Sequence, residues 1–307
     1  MNRILLATDK PFAAEAVKGI QEICDKAGFE LIKLEKYTSP DQLKTAVKDV
    51  DAIIVRSDII DKSVIDASSN LKIVVRAGAG YDNIDLNAAT AKGITVMNTP
   101  GQNSNAVAEL AIGMMIYLNR NGFNGSSGSE LRGKKLGIHA YGNIGKLLAI
   151  IGKGLGMQIF AYDPFVKKED IEKDGVECIT DVKELYKKCQ YISVNLPANS
   201  ETKKSINYDL LSLMPKNATL VNTARLEIVD EPSLLKIFES RPDFRYITDV
   251  APECKEEIAA KYPGRYFWTP KKMGAQTEEA NINAGLAAAR QIIGFLKNGD
   301  ATFKVNK

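Results

Sequence analysis

The segment YGNIG, Tyr141 to Gly145, follows a short apolar run ending at Ala140 and precedes a stretch of helix-forming residues, after which a second apolar run closes at Asp163. Glycines at such a turn let backbone N–H groups approach a pyrophosphate, and the N-terminus of the following helix favours its negative charge. Ala140, Tyr141, Gly142, Asn143, Ile144 and Gly145 are therefore candidate dinucleotide contacts. Asp163 stands near the spacing of about 20 residues at which an acid binds the ribose hydroxyls. A carboxylate there repels a 2′-phosphate, so NAD is expected over NADP. Ala140 replaces the first glycine of the fingerprint, which a negative φ tolerates and a left-handed turn strains. A lone G-x-x-G also marks ordinary tight turns; the setting of strand, turn, helix, strand and acid favours the dinucleotide. Gly152, Gly154 and Gly156 read as the end of that helix and its cap.

Few other residues offer chemistry by spacing alone. His139, the only histidine, lies on the strand entering the glycine loop, where a packing or cofactor-adjacent role is expected. Cys24, Cys178, Cys189 and Cys254 stand far apart without a C-x-x-C pair, so neither a zinc site nor a disulfide framework is suggested. That usage fits a reducing compartment.

Apolar runs rich in β-branched residues recur at Ile4 to Ala7, Leu31 to Leu34, Ala52 to Val55, Ile73 to Val75 and Ile94 to Met97. Amphipathic stretches of helical spacing, such as Ala13 to Ala27 and Asp41 to Val47, lie between them. The alternation predicts a parallel sheet covered on both faces. A second series runs through Leu136 to His139, Ile159 to Tyr162, Ile192 to Leu196, Leu220 to Thr223, Tyr246 to Thr248 and Tyr266 to Trp268, which suits a doubly wound nucleotide-binding domain. Ala106 to Leu118 reads as a helix connecting the two series, and Asn119 to Ser129 as a loop. Ala280 to Leu296 is helical, and periodicity leaves open which domain it joins.

At 307 residues the chain is long enough for two α/β domains, and 45% hydrophobic with 26% charged residues is a globular balance. A net charge of +3, with lysines scattered among acids, argues against a nucleic-acid partner. No run approaches the roughly 18 apolar residues of a membrane span, and MNRILLATDKPF lacks a signal-peptide pattern. A cytoplasmic protein with no membrane partner is expected.

Six segments then carry a resemblance: RAGAGYDNIDLNAATAKGITVMNTPGQNSNAVAEL from Arg76, LRGKKLGIHAYGNIG from Leu131, SVNLPANSETK from Ser193, LVNTARLEIVDE from Leu220, ITDVAPE from Ile247 and TPKKMGAQTEEA from Thr269. In this order the chain resembles the D-isomer-specific 2-hydroxyacid dehydrogenases, and within them the members that oxidise 3-phosphoglycerate in serine biosynthesis. The resemblance implies two doubly wound α/β domains, a flavodoxin-like substrate domain of residues 1–98 with 282–307 and a Rossmann NAD domain of residues 99–281. The active site is expected in the cleft between them. It also implies a homodimer whose contact uses the region around Asn103 to Asn119. Leu196, Pro197, Thr202, Thr223, Ala224, Arg225 and Asp249 match the family's further cofactor contacts. Arg225 matches the catalytic arginine, whose planar guanidinium holds the substrate carboxylate and the forming carbonyl. Ala77 and Gly78 match the backbone site for that carboxylate, and Arg56 and Arg76 are candidates for a substrate phosphate. Nothing follows Lys307, so serine inhibition through a C-terminal regulatory domain is not expected.

The family's histidine, which takes the hydroxyl proton from a T-P-H motif, is missing. TPKKMGAQ stands in its place: counting back from Gly274 selects Lys272, and counting forward from Pro270 selects Lys271. The longer downstream match favours Lys272. The orienting glutamate is displaced too, with Cys254 at its place and Glu253 one step early. An unshifted lysine would be neutral in about one molecule in 2,500 at pH 7, a loss of roughly 4.6 kcal/mol, so a lysine base needs its pKa lowered. Two other readings stay open. One is a dehydrogenase of another D-2-hydroxy acid such as glyoxylate, hydroxypyruvate or lactate; the other is a non-catalytic NAD-sensing protein.

Overall fold

The computed structural model describes residues 1–307, which divide into two compact units. One comprises Met1–Asn103 with Gln276–Lys307, the other Ser104–Ala275. The divisions fall after Asn103 and before Gln276, where the sequence placed them near Asn98 and Asn281.

The first unit holds β1 (Arg3–Thr8), β2 (Glu30–Glu35), β3 (Ala52–Val55), β4 (Ile73–Arg76) and β5 (Thr95–Asn98), all parallel, in the order β2-β1-β3-β4-β5. Strands β1, β3 and β4 are almost wholly buried, as β-branched runs covered on both faces must be. The helix Glu278–Asn298 returns to this unit, where Ala284, Ala288 and Ile292 share a core with Ala16, Ile20 and Cys24 of the helix Ala14–Ala27. Small residues let the two helices approach closely: a Cβ on Gly19 would stand 2.5 Å from Leu286.

The second unit begins with the helix Ser104–Asn119 and continues through β6 (Lys135–His139), β7 (Gln158–Tyr162), β8 (Glu177–Cys178), β9 (Tyr191–Val194), β10 (Thr219–Asn222), β11 (Arg245–Thr248) and β12 (Tyr266–Trp268). The sheet is parallel throughout, in the order β12-β11-β10-β9-β6-β7-β8. The six expected strands are joined by a seventh, the two-residue β8, which is too short to show a period. The order reverses direction between β6 and β9. In such sheets ligands bind outside the carboxyl ends of the strands at that switch point. No helix is long and apolar enough to cross a membrane, and all four cysteines are free thiols.

Candidate active site

Strand β6 delivers the chain into the glycine loop, and the helix Asn143–Gly154 leaves it. Ala140 has φ 80°, so the alanine sits in the left-handed region that strains it. Gly145 allows the close packing of helix on strand, since a Cβ there would stand 2.6 Å from the Ala140 carbonyl oxygen. Gly142 faces open space, and no side chain caps the helix that starts after it. An uncapped helix N-terminus beside an open glycine suits a phosphate. Farther along, Gly154 ends the helix and Gly156 takes φ 75° just beyond, as expected of a helix end and its cap.

Two of the candidate contacts in this loop are themselves held by hydrogen bonds within the protein. Tyr141 is fully buried; its N–H donates to Asp163 Oδ2 at 2.8 Å and its hydroxyl to Asp174 Oδ2 at 3.1 Å, so its polar groups serve the loop from within. Asp163 also accepts from Phe165 N at 2.8 Å, so the backbone holds both of its carboxylate oxygens. His139 is buried, with Nδ1 3.2 Å from the Tyr186 hydroxyl and edge-on ring contacts to Tyr162 and Tyr186. Burial pushes its pKa down to about 4, the behaviour of a packed neutral imidazole.

The neighbouring strand ends supply the other expected residues. After β9, Leu196 is half-buried and Pro197 exposed, and the Thr202 hydroxyl braces their loop by donating to the Pro197 carbonyl at 2.5 Å. After β10, Thr223 Oγ1 is buried with no hydrogen-bond partner, and such an orphan hydroxyl calls for a ligand. Asn222 holds the turn into Arg225: its side chain accepts from Ala224 N at 3.1 Å and donates to the Arg225 carbonyl at 2.9 Å. The orphan hydroxyl, the open glycine and the bare helix end together fit a dinucleotide.

Arg225, Asp249, Glu253 and Lys272 line one cavity of about 700 Å³, together with Glu227 and Glu231. Its size is that of a small-ligand site. Asp249, 3% exposed, accepts at Oδ1 from the Thr269 hydroxyl and Met273 N, both at 2.8 Å, and at Oδ2 from Gly274 N at 2.7 Å. It thereby fastens the segment carrying the two lysines. Lys272 donates its Nζ to the Ala224 carbonyl at 2.5 Å, next to Arg225. Although the residue as a whole is exposed, protein around the ammonium costs it hydration. That burial, followed by the Arg225 charge, lowers its pKa, against the opposing pull of Asp249 and Glu227. Lys271 is exposed and does not line the cavity; its carbonyl oxygen lies 2.9 Å from Thr269 Oγ1, as an alternative acceptor to Asp249.

Glu253 is exposed at the cavity wall and hydrogen-bonds neither lysine. Its N–H donates to Glu231 Oε1, and Cys254 N to Glu231 Oε2, both at 2.9 Å. Glu231, Asn222 and Asp174 cannot be found in the sequence alone, because a carboxylate or amide that braces a turn has the same residue type as one facing solvent. Val250 cannot be found there either: this β-branched residue lining the cavity has φ 146°, a strained conformation of the kind that gathers at functional sites.

In the first unit, Arg56 and Arg76 lie at the carboxyl ends of β3 and β4. Arg56 Nη2 donates to Asn281 Oδ1 at 2.5 Å and Arg76 Nε to the Arg56 carbonyl at 3.0 Å. A Cβ on Gly78 would overlap the Arg76 guanidinium, so only glycine permits this arrangement. The carboxylate site expected on Ala77 and Gly78 is not preformed: Ala77 N donates to the Val55 carbonyl at 2.8 Å and Gly78 N to the Arg76 carbonyl at 2.9 Å.

The family described as D-isomer specific 2-hydroxyacid dehydrogenase, catalytic domain, matches residues 6–306. The chain belongs to this family. Among curated proteins, this family member is 34% identical over 320 residues to D-3-phosphoglycerate dehydrogenase of Methanocaldococcus jannaschii, an alignment covering 98% of this chain and 59% of the relative. The chain thus spans little more than half the length of that relative. It is 32% identical over 283 residues to hydroxypyruvate reductase of Thermotoga maritima, covering 86% of this chain and 90% of the relative. Among solved structures, the NAD+-bound 3-phosphoglycerate dehydrogenase of Entamoeba histolytica is 49% identical, with a TM-score of 0.87 and coverage of 100% of this chain and 99% of that one.

Proposed function

We propose that the protein oxidises the 2-hydroxyl of D-3-phosphoglycerate to 3-phosphohydroxypyruvate with NAD, using Lys272 as the acid/base. The observation that carries this reading is the Lys272 amine, bonded to the Ala224 carbonyl beside Arg225 with its pKa lowered. Bound NAD would supply the acceptor for the hydride leaving C2. Ala140 to Gly145, Asp163, Leu196, Pro197, Thr202, Thr223 and Ala224 would hold the cofactor. Arg225 binds the carboxylate and the oxygen that becomes the carbonyl. Neutral Lys272 takes the hydroxyl proton, and the same amine as ammonium returns it in reduction. Asp249, which the family resemblance places among the cofactor contacts, also keeps the lysine segment fixed. The likeness to the Entamoeba enzyme supports both the phosphorylated acid and NAD.

The test is turnover with NAD at pH 9 on 3-phosphoglycerate and on acids lacking phosphate, with and without substitution of Arg56 or Arg76. Strong preference for the phosphorylated acid, lost in those variants, supports the reading. The Thermotoga relative favours a second one, in which hydroxypyruvate is reduced; equal turnover of phosphorylated and unphosphorylated acids would select it. The homodimer that accompanies the first reading is checked by light scattering.

A further inference from the structure

Ala140 keeps a left-handed backbone at φ 80° in the middle of the cofactor loop. For a residue with a Cβ this costs about 1–2 kcal/mol, and such strain persists only where the surroundings over-determine it. Three fastenings surround it. Ala140 N donates to the Tyr162 carbonyl at 2.9 Å, Tyr141 N to Asp163 Oδ2 at 2.8 Å, and the buried Tyr141 hydroxyl to Asp174 Oδ2 at 3.1 Å. The first two are fastenings of the strand edge. The third comes from elsewhere, because Asp174 lies in the turn between the helix Lys168–Glu172 and β8. The same residue's carbonyl accepts from Lys153 Nζ, so one turn holds the helix Asn143–Gly154 near its last turn and the loop before its first.

We propose that Tyr141 and Asp174 form a latch that holds the strained peptide of Ala140 in place and so shapes the loop for the cofactor, Asp174 being a positioning residue that never touches it. This rests on the reading that the loop binds NAD. The phenol is buried while Asp174 is exposed, and the bond between them is directional and charge-assisted. Without it the alanine can relax toward negative φ, carrying Gly142 and the helix N-terminus away from the pyrophosphate. A glycine at position 140 has no such tendency, because it takes positive φ freely.

The experiment is direct titration of NAD by protein fluorescence, alongside thermal melting, for the wild type, Tyr141→Phe, Asp174→Ala, Asp174→Asn and the double variant Asp174→Ala with Ala140→Gly. Expected are a weakening of roughly tenfold in Kd for Tyr141→Phe and Asp174→Ala, the size of one charge-assisted hydrogen bond. Asp174→Asn, which can still accept from the phenol, stays within about threefold. The double variant, in which glycine relieves the strain at position 140, recovers most of the affinity without the Tyr141–Asp174 bond. The proposal is overturned if Tyr141→Phe and Asp174→Ala lose Tm but bind NAD as tightly as the wild type, or if glycine at 140 restores nothing. A wild type that binds no NAD overturns the underlying reading and the latch with it.

Discussion

Gly274 donates its N–H to Asp249 Oδ2 at 2.7 Å, and a Cβ on that glycine would stand 2.8 Å from the same oxygen and 3.3 Å from Val107. The buried carboxylate thus reads a missing side chain as well as a backbone donor, and Lys272 is held two residues upstream.

Gly274→Ala is therefore expected to push the lysine segment off its anchor. Overpacking of this kind costs about 1–3 kcal/mol. Turnover falls at least tenfold, and Tm drops by several degrees. Melting curves and steady-state rates on the same preparation check both; a variant with wild-type rate would show that Asp249 does not set the position of Lys272.

The pH dependence of oxidation follows from the charges around Lys272. On the proposed mechanism oxidation needs the neutral amine, so the rate is expected to rise with pH through the pKa of this lysine, which burial and Arg225 hold below the ordinary lysine value. Glu227 opposes them by favouring the ammonium. Glu227→Gln removes that opposition, so the rising limb of the kcat/KM profile moves to lower pH. A limb that stays in place or moves upward would separate Glu227 from the lysine.

His139 gives a second, independent titration. Its folded pKa of about 4 lies below the value near 6.5 of an exposed imidazole. The unfolded chain therefore binds the extra proton first, and stability contributed by neutral burial is present above pH 6.5 and is lost as the pH falls toward 4. His139→Gln should flatten the Tm profile over this window without shifting the activity profile above neutrality. Denaturant melts at pH 4.5 and pH 7.5 measure it.

Asp163 does two things, and its variants should show both. On the proposed cofactor reading, removing the carboxylate would abolish repulsion of a 2′-phosphate, and it also frees Tyr141 N and Phe165 N. Asp163→Ala is expected to weaken NAD at least tenfold and to gain little for NADP. Titration with both cofactors decides the matter, and a clean reversal of preference would mean the loop does not depend on this acid.

The strands, their order in the chain and the glycine loop were legible because doubly buried parallel strands are continuous apolar runs, and Gly142 and Gly145 stand where a strand meets a helix. Which unit takes Glu278–Asn298 was open to periodicity alone, since alanine-rich spacing says only that one face is buried; family resemblance pointed to the first unit. The choice between Lys271 and Lys272 could not be made from spacing with certainty, because it turns on which way the segment is anchored. Asp249, accepting from Met273 and Gly274, anchors the segment with Lys272 on the cavity, which supports Lys272 as the proposed acid/base. Sequence leaves either sign of φ open at Ala140, and the structure has the strained one, because backbone conformation there depends on partners such as Asp174 that lie far along the chain.

The most direct test of the lysine chemistry is single-turnover oxidation of 3-phosphoglycerate by Lys272→Met and Lys271→Met at saturating NAD. Removal of a proton acceptor costs about 10²–10⁴ in rate. Lys272→Met is expected to lose that much, and Lys271→Met to stay within a few-fold of wild type. Full-rate oxidation by Lys272→Met would contradict the assignment outright.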